Sequence, residues 1–588
     1  MSRYSTTNSK WCLFQLEDFV VNSLSTIQPE VVMCGGDLTE AMSSLLQYSQ
    51  HEAEWRQYRD IVSRRWRNVT WLDIRGNHDN FNVLSRNSPN NFFAKYSVMG
   101  PKGFLNSYKV SLASRGQKFN FIAVDETWAV GMIYYNYVGC IDPGEQAVLD
   151  DLVSSVKRDE VTIMFGHYPA SVVKQFDYVR TLISRGLVYL SGHLHNLGWF
   201  NVFTLYTFHN DEEDLELELV DWKVNRRFRV LAVYDGKLSF RDVKFDEWPI
   251  VIVAYPKNIQ FMMPSKENYS NYEESTIKVL VFHKVTVLQV FVGIDEDDKD
   301  VATAVGGGPL YVLPWDASKY SEGVHEVKVK VLDQYNKESD FSQQFTLNPE
   351  KVVKFSKTWS DIMMRHSWAM LFHILYAVTL FFNLSIPLSL KIVIYLKQSG
   401  KLSSESRKCV LKCTNCCMIR KFMLVIGHNV IGLSIIIFAL YLAAGPWLVG
   451  SLIEGHIGAV FAWGAVVDST LVNTELPFAY YFVHLGLIHP AVVLALGHLL
   501  DTRHNQREEA RCGVMRHIVI AVLLLVVMGL NLYLSLNLWR QFGVSGFLVG
   551  PLKTWSYVFY AVMFWLAWRS TKAEISAVRW VLSSEECN

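Results

Sequence analysis

Asp37, Asn77, His78, Asp79, His167, His193 and His195 are the side chains of this 588-residue chain whose types and spacing fit one chemistry. They stand in four short clusters: Gly36-Asp37, Gly76-Asn77-His78-Asp79, Gly166-His167 and Gly192-His193-Leu194-His195. Carboxylate, amide oxygen and imidazole together form a donor set for a pair of divalent or trivalent metals such as Mn, Fe or Zn. One carboxylate can bridge two cations ~3.5–4 Å apart, and such a pair acidifies a shared water into a nucleophile near neutral pH. Neutral imidazoles add no negative charge that would repel a phosphate. An imidazole paired with a carboxylate keeps its proton at neutral pH, as a general acid must.

These clusters need scaffolding that brings them to one place. Each directly follows an apolar, strand-like run, at 31–34, 71–74, 161–165 and 187–190. Strand ends at one edge of a sheet converge, and glycine lets the backbone turn sharply there. Leu13, Leu16, Val20 and Leu24 follow helical spacing, as do Leu149, Leu152, Val153 and Val156 within 144–156. Strands alternating with helices predict an α/β layered domain over residues 1–245. Asp125 and Glu126, after the strand-like 119–124, are read as a strand-end turn in preference to pocket lining.

The four clusters resemble those of the calcineurin-like metallophosphoesterases. The resemblance implies an α/β/β/α sandwich with two metals at one sheet edge. It implies that Asp37 bridges the metals, that Asn77, His167 and His193 bind one of them, and that His195 binds the other. His78 would contact the phosphoryl group and protonate the leaving oxygen, and Asp79 would orient His78 by accepting its second ring hydrogen. The implied reaction is hydrolysis of a phosphomonoester or phosphodiester by a hydroxide held between the two metals. The substrate is expected to be the phosphoester of a lipid or a nucleotide.

One part of the family pattern is missing. An Asp-x-His motif normally supplies two ligands to the metal shared with His195, yet residues 1–35 contain no histidine, and their one aspartate, Asp18, sits in the helical stripe. Two readings remain open. The motif lies at or before Met1, together with a first strand and a signal segment, or the second metal site is incomplete and the protein is a catalytically weak metal-binding scaffold or transporter component.

The length predicts several domains. Lys+Arg and Asp+Glu both total 56, so overall charge points to no nucleic-acid partner. Residues 246–350 read as a small immunoglobulin-like β-sandwich, with strand-like runs at 250–254, 277–282, 285–292 and 325–332. Val327, Val329 and Val331 alternate there with Glu326, Lys328 and Lys330.

From 366 to 572 the chain becomes a multipass membrane domain, leaving 573–588 as a tail. Charge-free runs at 368–390, 422–453, 476–500, 517–539 and 554–568 predict about five spans. The stretch 455–467 reads as re-entrant or interfacial. Basic residues crowd the loops near Lys401 and Arg507, which predicts a cytosolic carboxyl end and luminal or extracellular amino-terminal domains. The expected setting is an endomembrane or plasma membrane. Asn68 and Asn268 head sequons that are glycosylation acceptors only in a luminal domain, and Cys409, Cys413, Cys416 and Cys417 suit palmitoylation or, equally, free structural thiols. Within the spans, His373, His428, Asn429, His484, His489 and His498 are the polar residues to watch, and 383–387 is an expected kink.

Overall fold

A computed structural model describes residues 15–41, 48–65, 69–132, 136–194, 205–210, 213–267, 275–297, 299–348, 358–401, 417–472, 476–504, 512–571 and 574. His195, Asn68, Asn268, Cys409, Cys413 and Cys416 lie outside these residues. The chain divides into two compact units, the first reaching Trp368 and the second running from Ala369.

In the first unit, β1 (Val31–Cys34) and β2 (Thr70–Asp73) form a parallel pair. A six-stranded sheet follows, made of β3 (Tyr108–Ser114), β4 (Gln117–Val124), β5 (Val161–Gly166), β6 (Val188–Ser191), β7 (Tyr206–His209) and β8 (Asp214–Glu218). Its strand order is β3-β4-β5-β6-β8-β7. Strands β4, β5, β6 and β8 run parallel, so their carboxyl ends share one edge. An antiparallel hairpin, β9 (Arg227–Tyr234) and β10 (Lys237–Lys244), completes the strands of this region.

Leu72 and Ile74 from β2 and its end, Phe121 and Ala123 from β4, Ile163 and Phe165 from β5, and Leu238 from β10 fill one core. That shared core is why the sheets stack. Helix Glu52–Arg65 buries Tyr58, Ile61 and Val62 with Phe19, Val20 and Leu24 against Trp71 and Val32. Helices Pro143–Ser154 and Phe176–Ser184 lie on the six-stranded sheet. The result is a mixed α/β domain of helices outside two sheet layers.

The sandwich has two four-stranded sheets. One is β11 (Ile250–Tyr255), β12 (Thr276–Phe282), β16 (Leu310–Pro314) and β15 (Thr303–Ala304). The other is β14 (Asp300–Val301), β13 (Val287–Ile294), β17 (His325–Asp333) and β18 (Glu338–Phe345). The alternation in β17 works as its sequence implies, since Val327, Val329 and Val331 are buried against Val279, Val290 and Val292.

The second unit departs most from expectation. Among the described residues, three helices are long and apolar enough to cross a membrane: Trp368–Leu396, Pro477–Arg503 and His517–Leu548. A fourth crossing is available only if the bent pair Met418–Gly427 and Asn429–Ala444 counts as one. The described residues thus hold three to four candidate spans, and the expected number of about five, give or take one, is not confirmed. The expected second span breaks by 98° at His428, which caps the following helix by accepting from the Ile431 N–H at 3.3 Å. Its far end, from Leu448, is strand. The expected fifth span is helix Ser556–Arg569, which continues from a π-helical turn at Pro551–Trp555 and is not among the helices both long and apolar enough to cross.

The stretch read as re-entrant lies in an antiparallel meander of β19 (Leu448–Ile453), β20 (His456–Phe461), β21 (Gly464–Val467) and β22 (Thr470–Val472). Its last turn, Asp468-Ser469, has φ of 45° and 65°, the pair of left-handed residues that closes a tight hairpin. Within helix Trp368–Gln398, Asn383 donates to the Thr379 carbonyl at 2.8 Å and the Leu485 carbonyl at 3.0 Å.

Candidate metal centre

The four clusters do meet. Gly36-Asp37 follows β1, Gly76-Asn77-His78 follows β2, Gly166-His167 ends β5, and Gly192-His193 follows β6. Asp37 and His193 are held at φ of 54° and 73°, a left-handed conformation uncommon outside glycine though better tolerated by Asp and His than by most residues. Gly76 is required for close approach, because a Cβ there would stand 2.2 Å from Asp37 Oδ1 and 2.8 Å from a His167 ring carbon.

His167 Nε2 lies 2.9 Å from Asn77 Oδ1, 3.2 Å from His193 Nδ1 and 3.5 Å from Asp37 Oδ1. His193 Nδ1 is 3.1 Å from Asn77 Oδ1. His167 Nδ1 donates to the Gly35 carbonyl at 2.8 Å, so Nε2 carries a lone pair in the neutral ring. That lone pair faces an amide oxygen and a second imidazole nitrogen. A cation bonded at ~2.0–2.2 Å places neighbouring donors ~2.9–3.5 Å apart, the spacing found here. The donor chemistry therefore fits a metal. The amide oxygen is essential to the set, because among the described residues no three His, Cys, Asp or Glu side chains form a metal cage by themselves.

Burial raises the Asp37 carboxyl, but the rings of His167, His78 and His193 beside it outweigh burial and hold it below the usual carboxylate range. Burial, and then the charge of Asp37, push Asp79 upward. His78 donates its backbone N–H to Asp37 Oδ1 at 3.0 Å and places Nε2 4.0 Å from Asp37 Oδ2.

The expected pairing of Asp79 with His78 is not found. Asp79 is buried and accepts from the backbone N–H groups of Gly76 at 2.9 Å, Leu38 at 3.0 Å and Thr39 at 3.1 Å. The Thr39 hydroxyl donates to it as well, at 3.2 Å. It ties the two site loops together, while the Glu40 carbonyl receives His78 Nδ1–H at 2.6 Å.

Asp125 and Glu126 are more than a turn. Glu126 is fully buried, accepts the His167 N–H at 3.1 Å and pairs with the Tyr189 hydroxyl. Burial pushes its carboxyl up to about 8. Asp125 pairs with buried Arg75 and, at 3.0 Å, with Arg86. Two adjacent carboxylates directly after the apolar run Phe121–Val124 were the available signal, since such groups stay buried only when paired.

Residues 10–197 match the calcineurin-like phosphoesterase family, residues 245–351 the TMEM62 Ig-like domain, and residues 366–532 the TMEM62 C-terminal domain. The chain thus carries a calcineurin-like phosphoesterase domain followed by Ig-like and C-terminal domains of the TMEM62 kind. Transmembrane protein 62 of Mus musculus is 28% identical over 571 residues, covering 95% of this chain and 86% of that protein. An Arabidopsis thaliana protein named "Putative metallophosphoesterase" is 26% identical over 437 residues, 61% of this chain and 58% of its own. Calcineurin-like phosphoesterases typically use divalent metals. With several apolar helices of spanning length, the chain is a membrane-anchored, phosphoesterase-like protein.

Proposed function

We propose that the first domain hydrolyses a phosphomonoester or phosphodiester in a metal-dependent reaction at the edge formed by β1, β2, β5 and β6. The carrying observation is the convergence of Asn77 Oδ1, His167 Nε2 and His193 Nδ1 beside Asp37. Asn77, His167, His193 and Asp37 would hold the metal, with His195 reserved for a second ion. Bound divalent ions would polarise the phosphoryl oxygens and lower the pKa of water.

The chain's own groups supply the rest. His78, anchored through Nδ1–H on the Glu40 carbonyl, would turn Nε2 toward the leaving oxygen, and would act as its acid in the doubly protonated form. Asp79 fixes the loops that carry Asp37 and Asn77. Glu126 presents the His167 backbone to the site. A lipid or nucleotide phosphoester is the proposed substrate class.

Purified protein with added Mn should hydrolyse a chromogenic phosphodiester well above an Asp37→Asn control. Hydrolysis equal to that control removes the enzyme reading. Metal retention without turnover would instead favour a catalytically weak metal-binding scaffold.

A further inference from the structure

A second polar cavity lies at the other end of the same sheet. It measures about 330 Å³ and is lined by Arg180, His209, Asp361, Arg365 and His366. His209 ends β7 and pairs in register with Asp214, the first residue of β8. Since β8 runs parallel to β6, this is the amino-terminal edge of the parallel strands, opposite the edge that carries His167 and His193. None of the cavity's lining residues belongs to the metal set, although Glu216, which binds His209, also accepts from the Ala170 N–H and the Ser191 hydroxyl.

The lining is built to receive negative charge. Arg180 donates from one terminal nitrogen to Asn210 Oδ1 at 2.8 Å, but its Nε is buried with no hydrogen-bond partner. Its nearest ion-pair partner, Asp177, is 3.8 Å away and lies in solvent. Arg365 is likewise 3.8 Å from Asp361, too far for a hydrogen bond. His209 is committed to Glu216 at 2.6 Å. Two guanidinium groups with unspent donors and the imidazole of His366 therefore face one carboxylate, Asp361. Guanidinium is the side chain best suited to phosphate oxygens.

The cavity also sits where the chain approaches the membrane. Arg365 precedes Trp368, the start of the first spanning-length helix, by three residues, a reach of at most ~11 Å. Chain connectivity alone therefore keeps Arg365 within short reach of the first helix of spanning length. Helix Thr358–Met364 supports this placement. Met363 and Met364 are buried, and the helix packs on β7, while Trp359 and Ile362 are exposed. Exposed tryptophan beside a spanning helix is the signature of an interfacial anchor.

We infer that Arg180, Arg365 and His366 form a docking site for the anionic phosphate headgroup of a membrane lipid, distinct from the metal centre. The site holds the phosphoesterase domain by its far edge.

The test titrates the full chain, in phosphatidylcholine nanodiscs and EDTA, with dihexanoyl phosphatidic acid, dihexanoyl phosphatidylcholine and inorganic phosphate, read by calorimetry. Saturable phosphatidic acid binding should weaken at least ~10-fold in Arg180→Gln and in Arg365→Gln. It should tighten ~2–5-fold in Asp361→Asn and be unchanged in Asp37→Asn. Arg365 is largely exposed, so its variant separates binding from folding, with a melting curve as the check. Equal affinity for inorganic phosphate removes the lipid from the assignment. Binding indifferent to both arginines, or lost in Asp37→Asn, overturns the site.

Discussion

The phosphoesterase domain and the Ig-like sandwich are both built from sheets, yet only one gathers chemistry. In the first, parallel strands return through helices, so the loops after β1, β2, β5 and β6 open at one edge. Asp37, Asn77, His167 and His193 meet there although 156 positions separate Asp37 from His193 (193 − 37). In the sandwich, antiparallel neighbours are joined by a local turn, as in β17–β18, or by a longer connection, as in β13–β17, and loops leave from both ends. Some of its charged pairs, such as Lys330–Glu338 at 2.7 Å and Lys328–Glu296 at 3.2 Å, lie at the surface, while His283–Asp333 is buried away from any such cluster. In the first domain the buried Arg75–Asp125 pair flanks Gly76 and Glu126, which shape the site. Connectivity, more than composition, decides where polar side chains can concentrate.

That contrast can be broken in order of effect. His167→Ala should lower Mn-dependent phosphodiester hydrolysis at least ~100-fold while leaving the melting curve of the sandwich intact, because it removes a donor from the metal set. Asp79→Ala should cost about 2–4 kcal/mol of domain stability and most of the activity, since three backbone N–H groups lose their acceptor. Limited proteolysis of the loops around Leu38 and Gly76 would report it.

In the sandwich, Val329→Ala should cost about 2 kcal/mol, seen by chemical denaturation, with kcat unchanged. Cys34, whose thiol burial pushes up to about 12, should resist alkylation at pH 8 until the domain unfolds. Labelling kinetics with and without denaturant would measure this. The Lys330→Ala change should alter stability by no more than about 0.5 kcal/mol, because an exposed ion pair contributes little.

Much of the site was legible because its signal is local. An apolar run followed by glycine and a metal-binding side chain marks a strand end, and β1, β2, β5 and β6 fall where those runs stand. The partner of His78 was not legible, since a backbone carbonyl leaves no mark in the residue types; Asp79, adjacent in sequence, was the natural but mistaken choice. Glu126 and Asp125 were underestimated because their partners, Tyr189 and Arg75, are distant in sequence.

The membrane unit was misread for a different reason. Hydropathy measures apolarity, and the strands between Leu448 and Val472 are as apolar as a span. Their hairpin turns, Glu454-Gly455 and Asp468-Ser469, spaced as in a meander, were the overlooked cue.

The central claim is that Asp37, Asn77, His167 and His193 together hold a cation. Equilibrium dialysis of the full chain against Mn, followed by elemental analysis, tests it directly. At least one ion per chain should be retained by the wild type and lost in His167→Ala. No retained ion, or equal retention by the variant, would contradict the account.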